Sequence, residues 1–280
     1  MKKTLKVGIS ISIGLFLMFA IFAFSVPNPH SIYDCSKENT SFIDGEVLVY
    51  KAYYNWKFVW VPAGEVKFKV YETENEYKME AVGKSYTSYN NFFRVNDYYA
   101  TIVDKKTLLP KTFVRYIEEG NYRKFDSLYF DQENGIINSL NGKTKDSARH
   151  KTFEIDSCTL DLLSVMYTLR NTNVEKYAPG DYLDVTMFID EETYPIHVVY
   201  DKKENKKIKN LGKFQSLKVS PELVVGNVFK KGDVMNIWVS DDMNKVPLLI
   251  ESPVSIGSVK AILKSYSGLR HTSILENSDD

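Results

Sequence analysis

Residues Ser157 to Arg170 read SCTLDLLSVMYTLR, a long apolar segment without the alternation of a strand. Side chains on one side of a helical wheel recur at i, i+3, i+4 and i+7, and apolar side chains also fill the opposite side. A helix that is apolar all round has no solvent face, so the segment predicts one buried helix over residues 158–170. Its apolar members include Leu160, Leu162, Leu163, Val165, Met166, Tyr167 and Leu169.

Polar residues mark both ends of this predicted helix. Thr159 is the expected N-cap, and Asp161 falls in the first turn, where a carboxylate suits the positive end of the helix dipole. Arg170 falls in the last turn, where a cation suits the negative end. At ~100° per residue Asp161 and Arg170 lie on opposite sides of the helix. Each charge therefore needs its own partner in the surrounding structure.

The chain begins with an export signal over residues 1–25. Three lysines, at positions 2, 3 and 6, precede an apolar run from Val7 to Phe24, and small residues at positions 23 and 25 fit a cleavage site. The run is longer than the roughly 7 to 15 residues of a typical signal core and close to the lower length of a membrane span. An uncleaved anchor is thus the alternative. Both interpretations place the rest of the chain outside the cytoplasm, which predicts a periplasmic location in a Gram-negative envelope.

Charge and composition narrow the classes of partner. The whole chain has 36 Lys and Arg residues against 36 Asp and Glu residues, and the signal contains three of the lysines and no acid. The remainder is slightly acidic, so it has no basic field to neutralise phosphates and nucleic acid is not expected as a partner. An aromatic content of 14% favours strands and extensive apolar contact.

The two cysteines, Cys35 and Cys158, are predicted to form a disulfide, because an isolated pair in an oxidising compartment is typically oxidised. The closed loop from residue 35 to 158 would add roughly 4 to 5 kcal/mol in the chain-entropy description. A metal pair lacks further Cys or paired His at ligand spacing, and a redox couple lacks a CxxC motif. The disulfide would tie the N-terminal arm, residues 26–44, to the start of the helix.

Residues 45–267 are predicted to form a single antiparallel β domain around the helix. Apolar residues alternate with polar ones in VKFKV (66–70), which gives one wet face, and short spacings between such segments imply antiparallel neighbours. The fold class predicted is mainly β: a large, strongly curved sheet, as a half-barrel or open barrel, wrapped around one buried helix. Residues 55–64 are expected to be a turn or bulge containing Trp56 and Trp60, and residues 268–280 a disordered tail.

Candidate catalytic residues are few. His197 lies between Ile196 and Val198 and is interpreted as a sheet residue rather than a base. Asp241 and Asp242, with Glu46, are the carboxylates from which a hydrolase site would be built, although turn residues after Trp238 are the simpler interpretation. The sequence has no GxSxG, HExxH or phosphate-binding loop, so no catalytic residue, metal site or cofactor is assigned.

Short motifs are distributed along the chain: Gly45-Glu46-x-Leu48-x-Tyr50, Gly64, Asp161-x-x-Ser164-x-x-Tyr167-x-x-Arg170, Gly212-x-Phe214, Trp238-x-Ser240-Asp241 with Pro247, and Gly257-x-Val259-x-Ala261-x-Leu263. In this order and spacing they resemble the exported bacterial family known as domain of unknown function 3108. The resemblance implies an exported β protein and no particular activity. Its architecture is similar to the curved half-barrel with an enclosed helix of periplasmic lipoprotein carriers, a likeness of fold only.

Two non-enzymatic functions are compatible with these features. In the first, a groove between sheet and helix binds a lipid or another amphiphile beside Leu163, Met166 and Tyr167, with Asp161 or Arg170 holding the head group. In the second, the protein is an envelope scaffold that binds another protein through its sheet edges and the loop containing Trp56 and Trp60. The membrane itself is contacted only through the signal or anchor.

Overall fold

The computed structural model describes residues 38–56, 59–173, 176–222, 234–254 and 257–277, and a single sheet of fifteen strands dominates them. Strands that are consecutive along the chain are neighbours from β1 to β8 and again from β10 to β15, and β1 pairs with β15. The sheet is therefore two runs of hairpins joined in the middle. Every pair is antiparallel except β9 with β10, which is parallel.

The strand bounds are β1 Val47–Trp56, β2 Val59–Glu72, β3 Glu76–Ser85, β4 Asn96–Asp104, β5 Pro110–Glu119, β6 Tyr122–Asp131, β7 Ile136–Gly142, β8 Arg149–Glu154, β9 Thr159–Leu160, β10 Tyr182–Ile189, β11 Glu192–Ile208, β12 Gly212–Pro221, β13 Asn236–Ser240, β14 Pro247–Pro253 and β15 Ser258–Ser267. Among the described residues one α-helix, α1, spans Leu162–Arg170, and short 3-10 helices cover Lys145–Ser147 and Ile274–Asn277.

Alternation along the strands produces two different faces. In β2, Val66, Phe68 and Val70 are buried, whereas Lys67 is exposed and Lys69 half-buried. The buried faces of most strands contribute to one large apolar core that also contains Leu162 and Leu163 of the helix. The period-two pattern thus places the apolar residues on the inside of the curve.

The curvature brings the two halves of the open sheet together across its interior. Asp190, in the tight turn between β10 and β11, forms ion pairs with Arg115 of β5 and Lys124 of β6. The rings of Phe153 in β8 and Phe188 in β10 lie 5.3 Å apart. The predicted mainly β fold, a strongly curved and unclosed sheet around one helix, is confirmed.

The helix lies inside this curve and touches strands from both halves, β4 and β10. It is shorter than predicted, because Asp161 rather than Thr159 is the N-cap. The Asp161 carboxylate accepts hydrogen bonds from the backbone N–H groups of Leu163 and Ser164. In return, the Ser164 hydroxyl accepts a hydrogen bond from the backbone N–H of Asp161. Thr159 instead belongs to β9, so the predicted range 158–170 is wrong by about one turn at its start.

Two further sequence expectations need correction. The region 55–64 is mostly strand, because β1 continues to Trp56 and β2 begins at Val59. The expected bulge is present within β2, where Ala63 is the extra residue between the pairs Ala52–Gly64 and Tyr53–Pro62. The predicted disordered tail is ordered in residues 268–277, where Ser273 and Leu275 are buried. The export signal and Cys35 lie outside the described residues.

Within the described ranges, none of the helices has both the length and the apolar character that a membrane span requires.

Candidate functional site

The C-terminal end of the helix is fixed by a fully buried ion pair. The guanidinium of Arg170 donates from Nη1 to Glu46 Oε1 at 2.6 Å and from Nη2 to Glu46 Oε2 at 2.8 Å. Its Nε donates to the carbonyl of Asn244 at 3.0 Å. Burial alone would lower the pKa of Arg170, but the adjacent Glu46 carboxylate more than offsets this and raises it. Arg170 therefore stays charged and joins the helix to the start of β1.

The N-terminal end is fixed in the same manner by Asp161. Besides capping the helix, its Oδ2 accepts a hydrogen bond of 2.6 Å from the hydroxyl of Thr101 in β4. Burial raises the pKa of Asp161 to about 6, while the hydrogen bonds from Thr101 and Ser164 act in the opposite direction. Both helix charges thus have the separate partners that their positions require.

One face of the helix is tightly packed. Leu163 and Tyr167 are almost completely buried, and the Tyr167 ring meets Phe42 edge to face with centroids 5.0 Å apart. The same cluster includes Met79 and Val103 from β3 and β4. Burial raises the pKa of Tyr167 above its ordinary value, so its hydroxyl is neutral. This face is therefore part of the core.

The other face of the helix borders an apolar cavity. Val165, Met166 and Leu169 are only half-buried, and they face the inner side of β10 to β14 across a cavity of about 190 Å³. An apolar cavity of about 150 Å³ in another protein stays dry and binds benzene, so this volume is sufficient for an apolar group. The sheet contributes, among others, Leu183, Met187, Ile196, Val198, Val219 and Ile237.

The polar side chains of the cavity lining are Arg170, Thr172, Tyr177, Asp181, Tyr200 and Lys245. Asp181 is exposed, and its carboxylate accepts the backbone N–H of Ala178. Thr172 follows the helix, and its buried hydroxyl has no hydrogen-bond partner in the described part of the chain. Lys245, in the loop between β13 and β14, is half-buried and forms no ion pair with any described carboxylate. Arg170 also borders the cavity, with its donors directed at Glu46 and at backbone carbonyls. The cavity is therefore apolar with polar groups close to the C-terminal end of the helix.

The sequence-derived candidates are thus distributed over different environments. Met166 and Arg170 line the cavity, whereas Leu163 and Tyr167 belong to the packed face and Asp161 caps the helix. Their assignment as ligand-binding residues stays a prediction.

The tryptophans and cysteines lie elsewhere. Trp60 is 36% exposed at the start of β2, with the Lys260 ammonium 3.7 Å from the centroid of its ring. Trp56 ends β1, and its side chain is outside the described part. The Cys35–Cys158 disulfide also stays a prediction, because Cys35 lies outside the described residues; Cys158 itself has a positive φ of 75° just before β9.

The carboxylates considered for hydrolysis have structural partners. Asp241 forms an ion pair with Lys203, and Glu46 holds Arg170. Asp242 accepts from Asn244 N and Lys245 N through Oδ1 and from Ser273 through Oδ2, which organises the loop after β13. His197 contacts Asp184 on the neighbouring strand. Among the described residues no cluster of three or more His, Cys, Asp or Glu is placed to hold a metal ion.

Sequence reasoning missed the polar residues of the cavity and the partner of Arg170. Glu46 was named as a motif residue and as a candidate hydrolase carboxylate, but not as the partner of Arg170, because the two are 124 positions apart. Lys245 lies in a short polar loop of ordinary composition. Among the polar residues of the cavity that were missed, only Thr172 stood out in the local sequence, because it follows the predicted helix and is flanked by two asparagines.

Comparison with solved structures supports the fold. A β-barrel-like protein of domain of unknown function DUF1849 from Brucella abortus matches with a TM-score of 0.55 at 11% identity, over 81% of this chain and 98% of that one. A protein described as exported, with a YmcC-like fold, from Bacteroides fragilis covers 83% of this chain at 12% identity, but its TM-score of 0.34 is too low to show a shared fold.

No curated protein matches the chain. Residues 49–264, most of the β domain, match the family described as protein of unknown function (DUF3108). The match begins within β1 and ends within β15, so it includes the helix and the whole cavity. The chain therefore belongs to the DUF3108 family.

Proposed function

We propose that this protein binds an amphiphile, with the apolar chain of the ligand in the cavity between α1 and the inner face of β10 to β14. The observation that carries the proposal is the contrast within one helix. Its apolar residues Val165, Met166 and Leu169 stay half-buried beside an apolar cavity, although the rest of the helix is packed. Natural interiors are close-packed, so an apolar cavity of this size next to a core helix supports a ligand-binding role.

The cavity lining accounts for the type of ligand. Each methylene transferred from water into such a cavity contributes about 0.8 kcal/mol, which favours a chain of several methylenes. Lys245 and Thr172 provide a cation and a hydroxyl near the C-terminal end of the helix. A ligand with an acidic head and a single apolar chain, such as a fatty acid, satisfies both groups.

Asp161 and Arg170 are less suited to hold the head group than the sequence alone indicated. Arg170 already donates to Glu46 and to Asn244, and Asp161 already accepts from Thr101 and two backbone N–H groups. Redirecting either one to a ligand would leave a buried charge without its present partner, at a cost of several kcal/mol. Arg170 and Asp161 hold the helix in place, and Lys245 is the residue proposed to bind the head group of the ligand.

Titration with cis-parinaric acid, a fatty acid that becomes fluorescent in apolar sites, tests the proposal. The chain should bind the probe with one saturable site, and Val165→Phe should weaken binding at least tenfold because the new ring fills the cavity. Met243→Phe is the matched control, since Met243 is 57% exposed and outside the cavity lining. Equal binding by both variants, or no saturable binding by the parent chain, would overturn the proposal.

The head-group assignment has its own readout. Lys245→Gln should weaken binding of the fatty acid about tenfold and leave the affinity for the corresponding fatty alcohol unchanged, because only the carboxylate gains from the ammonium. A parallel loss for acid and alcohol would mean that the substitution altered the cavity rather than a charge contact.

A second candidate, a scaffold role in the cell envelope, is favoured by the sheet edge at β8. The residues of this strand, apart from Phe153, are exposed, and an unpaired edge is a template for β-strand addition by another protein. Trp60 is a further exposed contact residue. Thr152→Pro, which obstructs pairing at β8, should abolish capture of such a partner and leave binding of cis-parinaric acid intact.

Export and the disulfide complete the proposal. The amphiphile-binding role fits an exported protein of the cell envelope, as the lysines and apolar run of residues 1–25 indicate. The chain should be purified from an envelope fraction without reductant and measured by mass spectrometry. The mass should be that of a chain starting near Val26, less two hydrogens for the oxidised cysteine pair. A mass with the N-terminal residues retained would support the anchor instead.

A further inference from the structure

A row of aromatic side chains crosses the outer face of the sheet, on the side opposite the cavity. Tyr98 of β4 is directly opposite Tyr116 of β5, and Tyr116 is opposite Phe125 of β6. The ring centroids are 6.2 Å apart for the first pair and 5.0 Å for the second. Tyr116 is 41% exposed and Tyr98 is half-buried, whereas Phe125 is only 3% exposed beneath the end of the row. The two tyrosines alternate along their strands with the buried Tyr99 and Arg115, so they supply the aromatic surface of the outer face.

A polar row runs beside the aromatic one, two residues along each strand. Lys84 is opposite Asn96 in the β3–β4 pair, and Glu118 is opposite Arg123 in the β5–β6 pair. Asn96 donates to Glu118 Oε2 at 3.2 Å, and Arg123 Nε lies 3.6 Å from Glu118 Oε1. The row therefore alternates donors and acceptors along one line.

The loop after β7 forms a wall on this surface. The chain folds back so closely that a Cβ at Gly142 would lie 2.7 Å from Cα of Ala148. The Thr144 and Ser147 side chains cap the short 3-10 helix reciprocally, which holds Lys143 and Lys145 beside the rows. Aromatic row, polar row and wall together line one groove of about 560 Å³.

The groove is cationic. Lys84, Lys143 and Lys145 are exposed and form no ion pair with a described carboxylate, while Glu118 is already bonded to Arg123 and Asn96. The other two charged lining residues turn inward: the Asp97 carboxylate accepts the Glu118 N–H, and Lys124 pairs with Asp190. Three cations are thus free for an anionic ligand.

We propose that this groove binds an acidic saccharide. The apolar face of a pyranose ring stacks on the exposed ring of Tyr116, and its acid group is attracted by the three lysines. Its hydroxyl groups are donors as well as acceptors, which suits the mixed row of Asn96, Glu118 and Arg123. A single-stranded nucleic acid would also use aromatic stacking and cations, but it needs an extended basic field, which the slightly acidic chain after residue 25 does not have.

Affinity gel electrophoresis of the full chain in mild neutral detergent tests this inference, with polygalacturonate or alginate cast into the gel. Both acidic polysaccharides should retard the chain, whereas neutral dextran should not. Tyr116→Ala should lower the affinity at least tenfold, and the double variant Lys143→Glu, Lys145→Glu should abolish retardation. Tyr129→Ala is the matched control, because Tyr129 is an exposed tyrosine of β6 outside the groove.

Each alternative result would overturn the inference. Absence of retardation by both acidic polysaccharides would exclude the class of ligand. Retardation that Tyr116→Ala leaves unchanged would mean attraction by surface lysines alone. Stronger retention of the chain by single-stranded DNA than by either polysaccharide, lost in Tyr116→Ala, would assign the groove to nucleic acid. Thermal unfolding of each variant confirms that a loss of binding does not result from a loss of fold.

Discussion

The two sides of the α1 helix differ in how well they are packed, and the difference separates the structural part of the molecule from its proposed binding site. Toward β2 to β4, Leu163 and Tyr167 are buried among aromatic and aliphatic side chains. Toward β10 to β14, Met166 and Leu169 border a cavity. The same nine residues thus serve as a core element on one side and as a cavity wall on the other.

This asymmetry is possible because the helix does not depend on the cavity side for its position. Arg170 fixes one end to Glu46, and Asp161 fixes the other to Thr101. Both anchors are buried and have specific geometry, so they hold a short helix that would be marginal alone. The cavity can therefore stay open without allowing the helix to move. Stability measurements on the two sides are the way to test this division.

The largest effect is expected for the anchor at Arg170. Arg170→Met leaves the Glu46 carboxylate buried and unpaired, so the free energy of unfolding in urea should fall by about 3 to 5 kcal/mol. The double variant Glu46→Gln, Arg170→Met should lose less than the single one, because no unpaired charge remains. A loss below about 1 kcal/mol for the single variant would show that the helix is held mainly by packing.

A matched pair of leucines compares the two sides directly. Leu163→Ala on the packed side should cost about 2 to 5 kcal/mol, whereas Leu169→Ala on the cavity side should cost about 1 to 2 kcal/mol, because a half-buried side chain loses fewer apolar contacts. Both changes have the same effect on helix propensity, so the difference isolates packing. Urea unfolding of both variants gives the comparison, and equal losses would contradict the division.

The sequence predicted the features that depend on a local pattern of residues. It did not predict the features that depend on contacts between residues far apart in the chain. Alternation in strands such as β2 predicted the sheet and its inner face, and the length of the apolar run predicted the helix. The N-cap was misplaced because Thr159 and Asp161 are both capping residues, and only the bonds of Asp161 to Ser164 and Thr101 decide between them. Strand β8, almost entirely exposed, has no alternation to detect. The cavity depends on the curvature of the whole sheet, which no short segment encodes.

The anchor at Asp161 should give stability a pH dependence. Burial raises the folded-state pKa to about 6, above the value near 3.9 expected for an unfolded chain, so the folded state binds the proton more tightly. The stability from this group is fully present below about pH 4 and is lost as pH rises through 6, at up to about 1.4 kcal/mol per pH unit.

Asp161→Asn is the matched variant for this measurement, because asparagine also caps helices but does not titrate. The difference in unfolding free energy between the parent chain and the variant should be followed over roughly pH 3 to 8. It should change between about pH 4 and 6 and stay constant above. A constant difference over the whole range would mean that Asp161 has an ordinary pKa in the folded protein.

The smallest effect, and the finest test of the comparison, comes from two methionines in different surroundings. Met79 is buried on β3 in the cluster around Tyr167, whereas Met166 is half-buried, packs against that cluster and also lines the cavity. Replacing methionine by leucine conserves volume but changes shape, which costs up to about 1.5 kcal/mol where neighbours cannot adjust. Met79→Leu should therefore lower the unfolding free energy measurably, and Met166→Leu should leave it within about 0.5 kcal/mol of the parent because free space beside it accommodates the branched side chain.

If cis-parinaric acid is then added in excess, the cavity is filled and Met166→Leu should become as costly as Met79→Leu. A Met166→Leu cost that is insensitive to the probe would place the ligand outside this cavity.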